Sequence, residues 1–269
     1  MNGPLRLACV LAHPDDETLS AGGILARYAA EGVETYVITA TRGEEAWPGD
    51  DEAHPGRRAL AQLREQELRE AARVLGLQDV VLLNYAHGEL HQASAAGAIG
   101  QIVAHLRRIR PQVVVTFDPY GFYGHPDHVA ICQFATAAVV AAANPAYASS
   151  NGWPSHQVSK LYYMAHTQPL VDLYHAALGE RVLRSDYGER QPVAWPGWAV
   201  TTRVDTSDHW QAVWQAFTCH RSQLGTYETL YGAPEGQRRR LWSAPTFYRV
   251  FSLVNGGGEL ETDLFDGLR

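Results

Sequence analysis

The chain predicts an α/β fold, a Rossmann-like, doubly wound and mainly parallel sheet with a C-terminal α+β extension. Three observations carry this. Strand and helix signals alternate through the first 165 residues, the rhythm of βα units joined by right-handed crossovers. The opening run Leu7-Ala8-Cys9-Val10-Leu11-Ala12 is continuously apolar, as a parallel strand covered on both faces must be. Two helical segments stop at glycines, Gly32 and Gly76, residues suited to a helix C-cap.

Taken in order, the first strand begins at Leu5 and a helix follows from about Thr18 to Glu31. Val33 to Thr41 is the second strand, and a loop rich in Gly, Asp and Pro runs to Gly56. From Arg57 to Leu75 the period is helical, with Leu60, Leu63, Ala71, Val74 and Leu75 on one face. Arg64 and Glu67 fall in the middle of that face, where charges are seldom left without a partner or a purpose. Val80 to Leu83 is a third strand, and Ile99, Ile102, Val103, Leu106 and Ile109 mark a third helix. Val113 to Phe117 is a fourth strand, an Ala/Val helix starts near Pro126, and Val158 to Ala165 supplies a fifth strand. After Thr167 the pattern loosens. Trp210, Val213, Trp214 and Phe217 make one amphipathic helix, and Thr246 to Val254 reads as a late strand. The expectation is one domain over residues 1–269, with a core over about 5–165 and an extension over about 166–269 packed on it. Asn151-Gly-Trp-Pro154 is the alternative boundary.

Composition narrows the function. The chain is 46% hydrophobic and 19% charged, too apolar for disorder and long enough for a sizeable core. A net charge of −7 offers no basic field for nucleic acid. Cys9, Cys132 and Cys219 lack CxxC spacing and read as small hydrophobes in a reducing compartment. No signal-peptide pattern precedes the first strand. The apolar stretch Val129–Ala143 is interrupted by Gln133 and Thr136 and falls short of a bilayer span. These features predict a cytoplasmic protein with no nucleic-acid partner and no membrane insertion, and leave a homo-oligomer open.

In open α/β sheets ligands collect outside the carboxyl ends of the strands, and two of the loops there are dense in metal-ligand types. The loop after the first strand reads Ala12-His13-Pro14-Asp15-Asp16-Glu17. His13 and Asp16 are close enough to reach one ion, a thiolate-free zinc site with a position left open. Asp15 between them is a carboxylate available to take a proton from water. Capping of the following helix accounts for one of the three acids, but not for His13. The loop after the fourth strand reads Asp118-Pro-Tyr-Gly-Phe-Tyr-Gly-His125-Pro-Asp127-His128. There one histidine can ligate while its neighbour faces the substrate.

The pair Ala12-His13-Pro-Asp-Asp-Glu17 and Gly124-His-Pro-Asp-His128 resembles the LmbE-like zinc-dependent de-N-acetylases, well over about residues 5–130 and faintly beyond. The resemblance implies His13, Asp16 and His128 as metal ligands, with Zn2+ the metal. Two histidines and one carboxylate also suit Fe2+. It implies Asp15 as general base and His125 as a protonated group serving the oxyanion or the leaving amine, with Asp127 as its carboxylate partner. Tyr123 matches a tyrosine that polarises the acetyl carbonyl in some members. The family pattern Arg-x-x-Glu-x-x-x-Ala-x-x-x-Leu-Gly is met by Arg64, Glu67, Ala71, Leu75 and Gly76. Two readings of Arg64 stand, a sugar-binding arginine or an Arg64–Glu67 pair knitting helix to sheet. Thr41-Arg-Gly-Glu44-Glu45 resembles a loop whose acid touches sugar hydroxyls, so Glu44 and Glu45 join the substrate-binding set. Ala86-His87-Gly88 departs from the family's aspartate-glycine pair, leaving His87 either solvated or substrate-facing. His220-Arg-Ser-Gln223 resembles a weak signature, and His220 is read as a packed core histidine.

The expected function is removal of the N-acetyl group from an N-acetylglucosamine-type sugar or its conjugate, a small-molecule amino-sugar substrate. A hydrolase of another amide and a non-catalytic sugar-binding relative are the alternatives. A nucleotide-binding protein is excluded by the missing G-x-G-x-x-G.

Overall fold

Six strands that run one way and one that runs against them form a single sheet in the computed structural model, which describes residues 3–49, 51–148, 152–182, 191–255 and 258–269. The first half runs β1 (Arg6–Leu11), α1 (Asp16–Leu19), α2 (Gly22–Ala30), β2 (Glu34–Thr41), α3 (Arg57–Leu75) and β3 (Asp79–Tyr85). Next come α4 (Ala95–Ile109), β4 (Val113–Thr116), α5 (Gly121–Gly124), α6 (Pro126–Ala143) and β5 (Lys160–Met164). The extension carries α7 (Gln168–Val182), β6 (Thr202–Arg203), α8 (Trp210–Phe217), α9 (Glu228–Tyr231), α10 (Glu235–Trp242) and β7 (Thr246–Ser252). The strand order is β3-β2-β1-β4-β5-β7-β6. β1 pairs in parallel with β2 on one side and β4 on the other. β7 runs antiparallel to both β5 and β6.

The predicted order of elements through β5 is present, and its apolar runs mark the centre of the sheet. Leu7–Leu11 and Val113–Thr116 are wholly buried. The expected helix over 18–31 is instead two helices. Ser20 N and Ala21 N both donate to Asp16 O, closing α1 before Leu25 N restarts the ladder on Ala21 O. On α3 the buried residues are Leu60, Arg64, Glu67, Leu68, Ala71, Ala72 and Leu75, while Leu63 and Val74 lie at the rim, 36% and 38% exposed. Each fully buried leucine there contributes about 1.5–3 kcal/mol.

The extension shares the sheet through β7, which aligns Lys160 with Ser252 and Met164 with Phe247. A buried cluster fixes this edge. Glu261 Oε1 accepts from Lys160 Nζ at 2.7 Å and Arg249 Nη1 at 2.6 Å, and its Oε2 accepts from Tyr162 and Thr202. Helices α7, α9 and α10 go beyond the sequence reading, because they carry little apolar period. In α10 only Leu241 and Trp242 are buried. The alternative boundary begins at Asn151, which lies outside the described residues. Helix α6, at 18 residues, is long and apolar enough by length and composition to cross a membrane. In this fold it packs on α4 and buries Asp127 and His128 at its start.

Candidate metal centre and catalytic base

The strand order reverses between β1 and β4, since the chain leaves β1 for β2 and β3 on one side and returns to β4 on the other. At such a switch point the loops diverge and leave a crevice at the carboxyl ends. The loop after β1 delivers His13 to Glu17 to this crevice, and the loop after β4 delivers Tyr123 to His128.

His13, Asp16 and His128 converge, with one ligand atom of each lying within 4.8 Å of the others. His13 Nδ1 is 3.2 Å from His128 Nε2 and 3.8 Å from Asp16 Oδ2, while His128 Nε2 is 3.6 Å from Asp16 Oδ1. All three are buried. Asp16 Oδ2 is anchored by the N–H groups of Ala12 and His13. His13 Nε2 lies 3.0 Å from Asp127 Oδ2. That bond places the proton on Nε2 and turns the Nδ1 lone pair toward the other two ligands, as a carboxylate does for a ligating histidine. Burial, with neighbouring imidazoles, holds His13 and His128 well below the usual histidine range. Burial also drives Asp16 well above the usual carboxyl range. Neutral imidazole lone pairs facing a carboxyl that water does not stabilise fit a divalent metal.

A second group of His13, His87, His125 and Asp127 lies equally close, and its donors other than His87 Nδ1 are engaged. Asp127 accepts from Gly88 N at 2.6 Å, Leu90 N at 3.0 Å and His13 Nε2, and His125 Nδ1 accepts from Asp127 N at 3.1 Å. The Asp127 carboxylate is thus bonded to His13 and its backbone N–H to His125, whose ring belongs to the same close group. Burial and the neighbouring His87 lower the His125 pKa to about 3, a shift toward the neutral ring and away from the protonated one expected.

Asp15 sits beside the triad with φ 107° and ψ −26°, a backbone costly for a residue with a Cβ. Its Oδ2 accepts from Arg64 Nη2 at 3.0 Å and Tyr227 Oη at 3.0 Å. Burial pushes this carboxyl up, against the pull of the Arg64 charge. Arg64 faces Asp15, not the Glu67 of the expected helix-to-sheet pair. Arg64, 1% exposed, also donates to Gly43 O at 2.8 Å and to Pro14 O. It ties the Asp15 carboxylate to the loops after β1 and β2. Gly43, at φ +66°, permits this approach, since a Cβ there would lie 2.0 Å from Arg64 Nη1. Glu67 turns instead to Ser222, accepting from its N and Oγ.

Around this centre, Tyr123 packs edge-on against His128 with ring centroids 5.3 Å apart. His87 packs edge-on against His13 at 4.6 Å, so it belongs to the crevice. Burial lowers its pKa to about 4. Glu44 borders the same loop and accepts from His87 N at 2.9 Å. Glu45 is not brought in, being exposed and paired with Arg57 at 2.6 Å. Two site residues escaped the sequence reading. Tyr227 carried no signal. His220 is buried as expected, but as the partner of Glu17 Oε1 at 2.6 Å, not as an apolar filler. The His-Arg-Ser-Gln run was the available hint.

Comparison with known proteins agrees with this geometry. Residues 8–139 match the family model described as GlcNAc-PI de-N-acetylase. The chain is 32% identical to the 1D-myo-inositol 2-acetamido-2-deoxy-alpha-D-glucopyranoside deacetylase of Streptomyces avermitilis, over 98% of this chain and 97% of that one. Among solved structures it is similar to a conserved protein of Thermus thermophilus, with TM-score 0.65 and 27% identity over 94% of this chain and 97% of that one. It shares the fold of the N,N'-diacetylchitobiose deacetylase of Pyrococcus horikoshii, with TM-score 0.68 and 21% identity over 91% and 83% of the two chains. The two histidine-aspartate loops at a switch point, and a full-length relative at this identity, make the chain a member of the LmbE-like GlcNAc-PI de-N-acetylase family.

Proposed function

We propose that this chain is a metal-dependent hydrolase that removes the N-acetyl group from an N-acetylglucosamine-type sugar or its conjugate. The observation that carries the reading is Asp15, a buried carboxylate beside the His13–Asp16–His128 triad, held at one oxygen by Arg64 and Tyr227. The Streptomyces relative, named for an acetamido-glucopyranoside, supports an amino-sugar substrate. Zn2+ fits the donor set, and Fe2+ fits it as well.

A divalent metal held by His13, Asp16 and His128 supplies a Lewis acid and brings the pKa of water down from 15.7 to about 7. The residues of the chain do the rest. With Oδ2 tied to Arg64 and Tyr227, Asp15 presents Oδ1 to take the proton from the attacking water. Its raised pKa brings the carboxylate nearer the working pH, where a general base is most effective. Neutral His125 directs Nε2–H at the developing oxyanion, its tautomer fixed by the Asp127 N–H on Nδ1. A neutral imidazole is too weak an acid to protonate the departing amine, so Asp15 returns the proton to it. Glu44 and His87 at the rim face the sugar. His87 stands where many members carry an aspartate, which adapts this rim to a different set of hydroxyls. The three free thiols support a reducing, cytoplasmic compartment.

The test joins metal analysis to amine release from N-acetylglucosamine conjugates. Asp15→Asn is expected to retain one metal per chain and lose about 10²–10⁴-fold in kcat. An Asp15→Asn enzyme of normal rate, or full metal occupancy in both Asp16→Ala and His128→Ala, overturns the reading.

A further inference from the structure

Asp15 is held by Arg64 and, in addition, from outside the residues that the family model matches. Between α8 and α9, three neighbouring side chains reach back across the fold. Tyr227 Oη donates to Asp15 Oδ2 at 3.0 Å, and Ser222 donates from N and Oγ to Glu67 on the helix that also carries Arg64. His220 Nε2 meets Glu17 Oε1 at 2.6 Å, both side chains fully buried, while Glu17 Oε2 accepts from Asp15 N at 2.9 Å. Helix α8, which leads into the segment, packs on α1, α2 and α3. The fit is close enough that a Cβ on Gly22 would lie 2.6 Å from Val213 Cγ1.

We infer that the segment His220–Tyr227 is a clamp that sets the geometry of the base, with Tyr227 and His220 as positioning residues. Tyr227 fixes the carboxylate directly. His220 holds Glu17, and Glu17 holds the Asp15 N–H that the left-handed backbone presents. Asp15 is thus restrained at the side chain and at the backbone, and both restraints lead to one eight-residue stretch. A residue that only filled the core would have no cause to place its hydroxyl on this one oxygen. The inference rests on Asp15 being the base, and its test separates the two.

The experiment is a set of double-mutant cycles on the metal-loaded full chain, read in kcat, KM and metal affinity by chelator competition. Tyr227→Phe is expected to lower kcat about 10- to 100-fold, the scale of a slightly misplaced catalytic group, with KM and metal affinity unchanged. In the Asp15→Asn background the same substitution is expected to do nothing further, because a residue acting through Asp15 has nothing left to position. For the second arm, Glu17→Gln and the Glu17→Gln/His220→Gln double variant are expected to lose kcat equally. Removing both charges together leaves no buried ion unpaired. A Tyr227→Phe enzyme of wild-type kcat, or a loss that multiplies onto that of Asp15→Asn, overturns the inference. If Asp15→Asn is itself fully active, the base assignment fails instead. If Asp15→Asn is inactive and Tyr227→Phe normal, the clamp alone fails.

Discussion

Asp127→Asn changes one oxygen to an amide nitrogen at the point where the two loops of the site are tied. The native carboxylate is fully buried and accepts three N–H groups, from Gly88, Leu90 and His13. Asparagine has a single acceptor oxygen. If it serves Gly88 and His13, its NH2 confronts the Leu90 N–H, a buried donor left without an acceptor at a cost of about 1–3 kcal/mol. His13 meanwhile loses the negative charge that sharpens its Nδ1 lone pair. Losing such a support for a ligating histidine weakens metal binding about 10- to 100-fold, which converts to about 1.4–2.7 kcal/mol. The assay is chelator competition for metal affinity beside urea denaturation of the metal-free protein. The expected result is a fall in both. Lower stability with unchanged metal affinity refutes the reasoning, because Asp127 would then support the Gly88–Leu90 loop and not His13.

Gly43→Ala drives a methyl into the Arg64 guanidinium at a position with φ +66°. The expected loss is about 3–5 kcal/mol, the cost of stranding a buried charge such as Asp15, measured by urea denaturation; near-wild-type stability counts against the tight seat. Glu261 sets the acid limit of stability. Burial raises its carboxyl, but hydrogen bonds from Lys160, Thr202, Asn255 and Tyr162 outweigh this and lower it from 4.5 to about 2. Its contribution is complete above pH 4.5 and drains away as pH falls toward 2, worth about 2 kcal/mol after allowance for solvent screening. Glu261→Gln is expected to flatten the stability curve across that window, and an unchanged slope there contradicts the assignment.

What the sequence disclosed follows from the range of the interactions. The candidate metal donors were legible because each sits beside other chemistry-bearing residues in a short loop, and because β1 and β4 announce their positions by apolar runs. Arg64 was legible as an anomaly, a charge within an apolar stripe, but its partner Asp15 lies 49 residues away and could not be chosen over Glu67. The resemblance implies Asp127 as the partner of His125, two residues away, whereas the turn into α6 also brings its carboxylate to His13, 114 residues distant. Tyr227 and His220 meet their partners across 212 and 203 residues. No spacing rule spans that distance. The short helices of the extension were hidden for another reason, since α10 buries two residues at one end and presents no periodic face.

The left-handed backbone at Asp15 has a consequence for how the protein comes into being. Every candidate metal donor lies at or before His128, while part of what holds Asp15 in its strained posture comes from residues 220–227, far later in the chain. Chains emerge N-terminus first and acquire structure as they lengthen. On the proposed function, a growing polypeptide therefore owns its ion-binding donors well before it owns all the means to keep its base in place, and hydrolytic competence waits for the last quarter of the chain to dock.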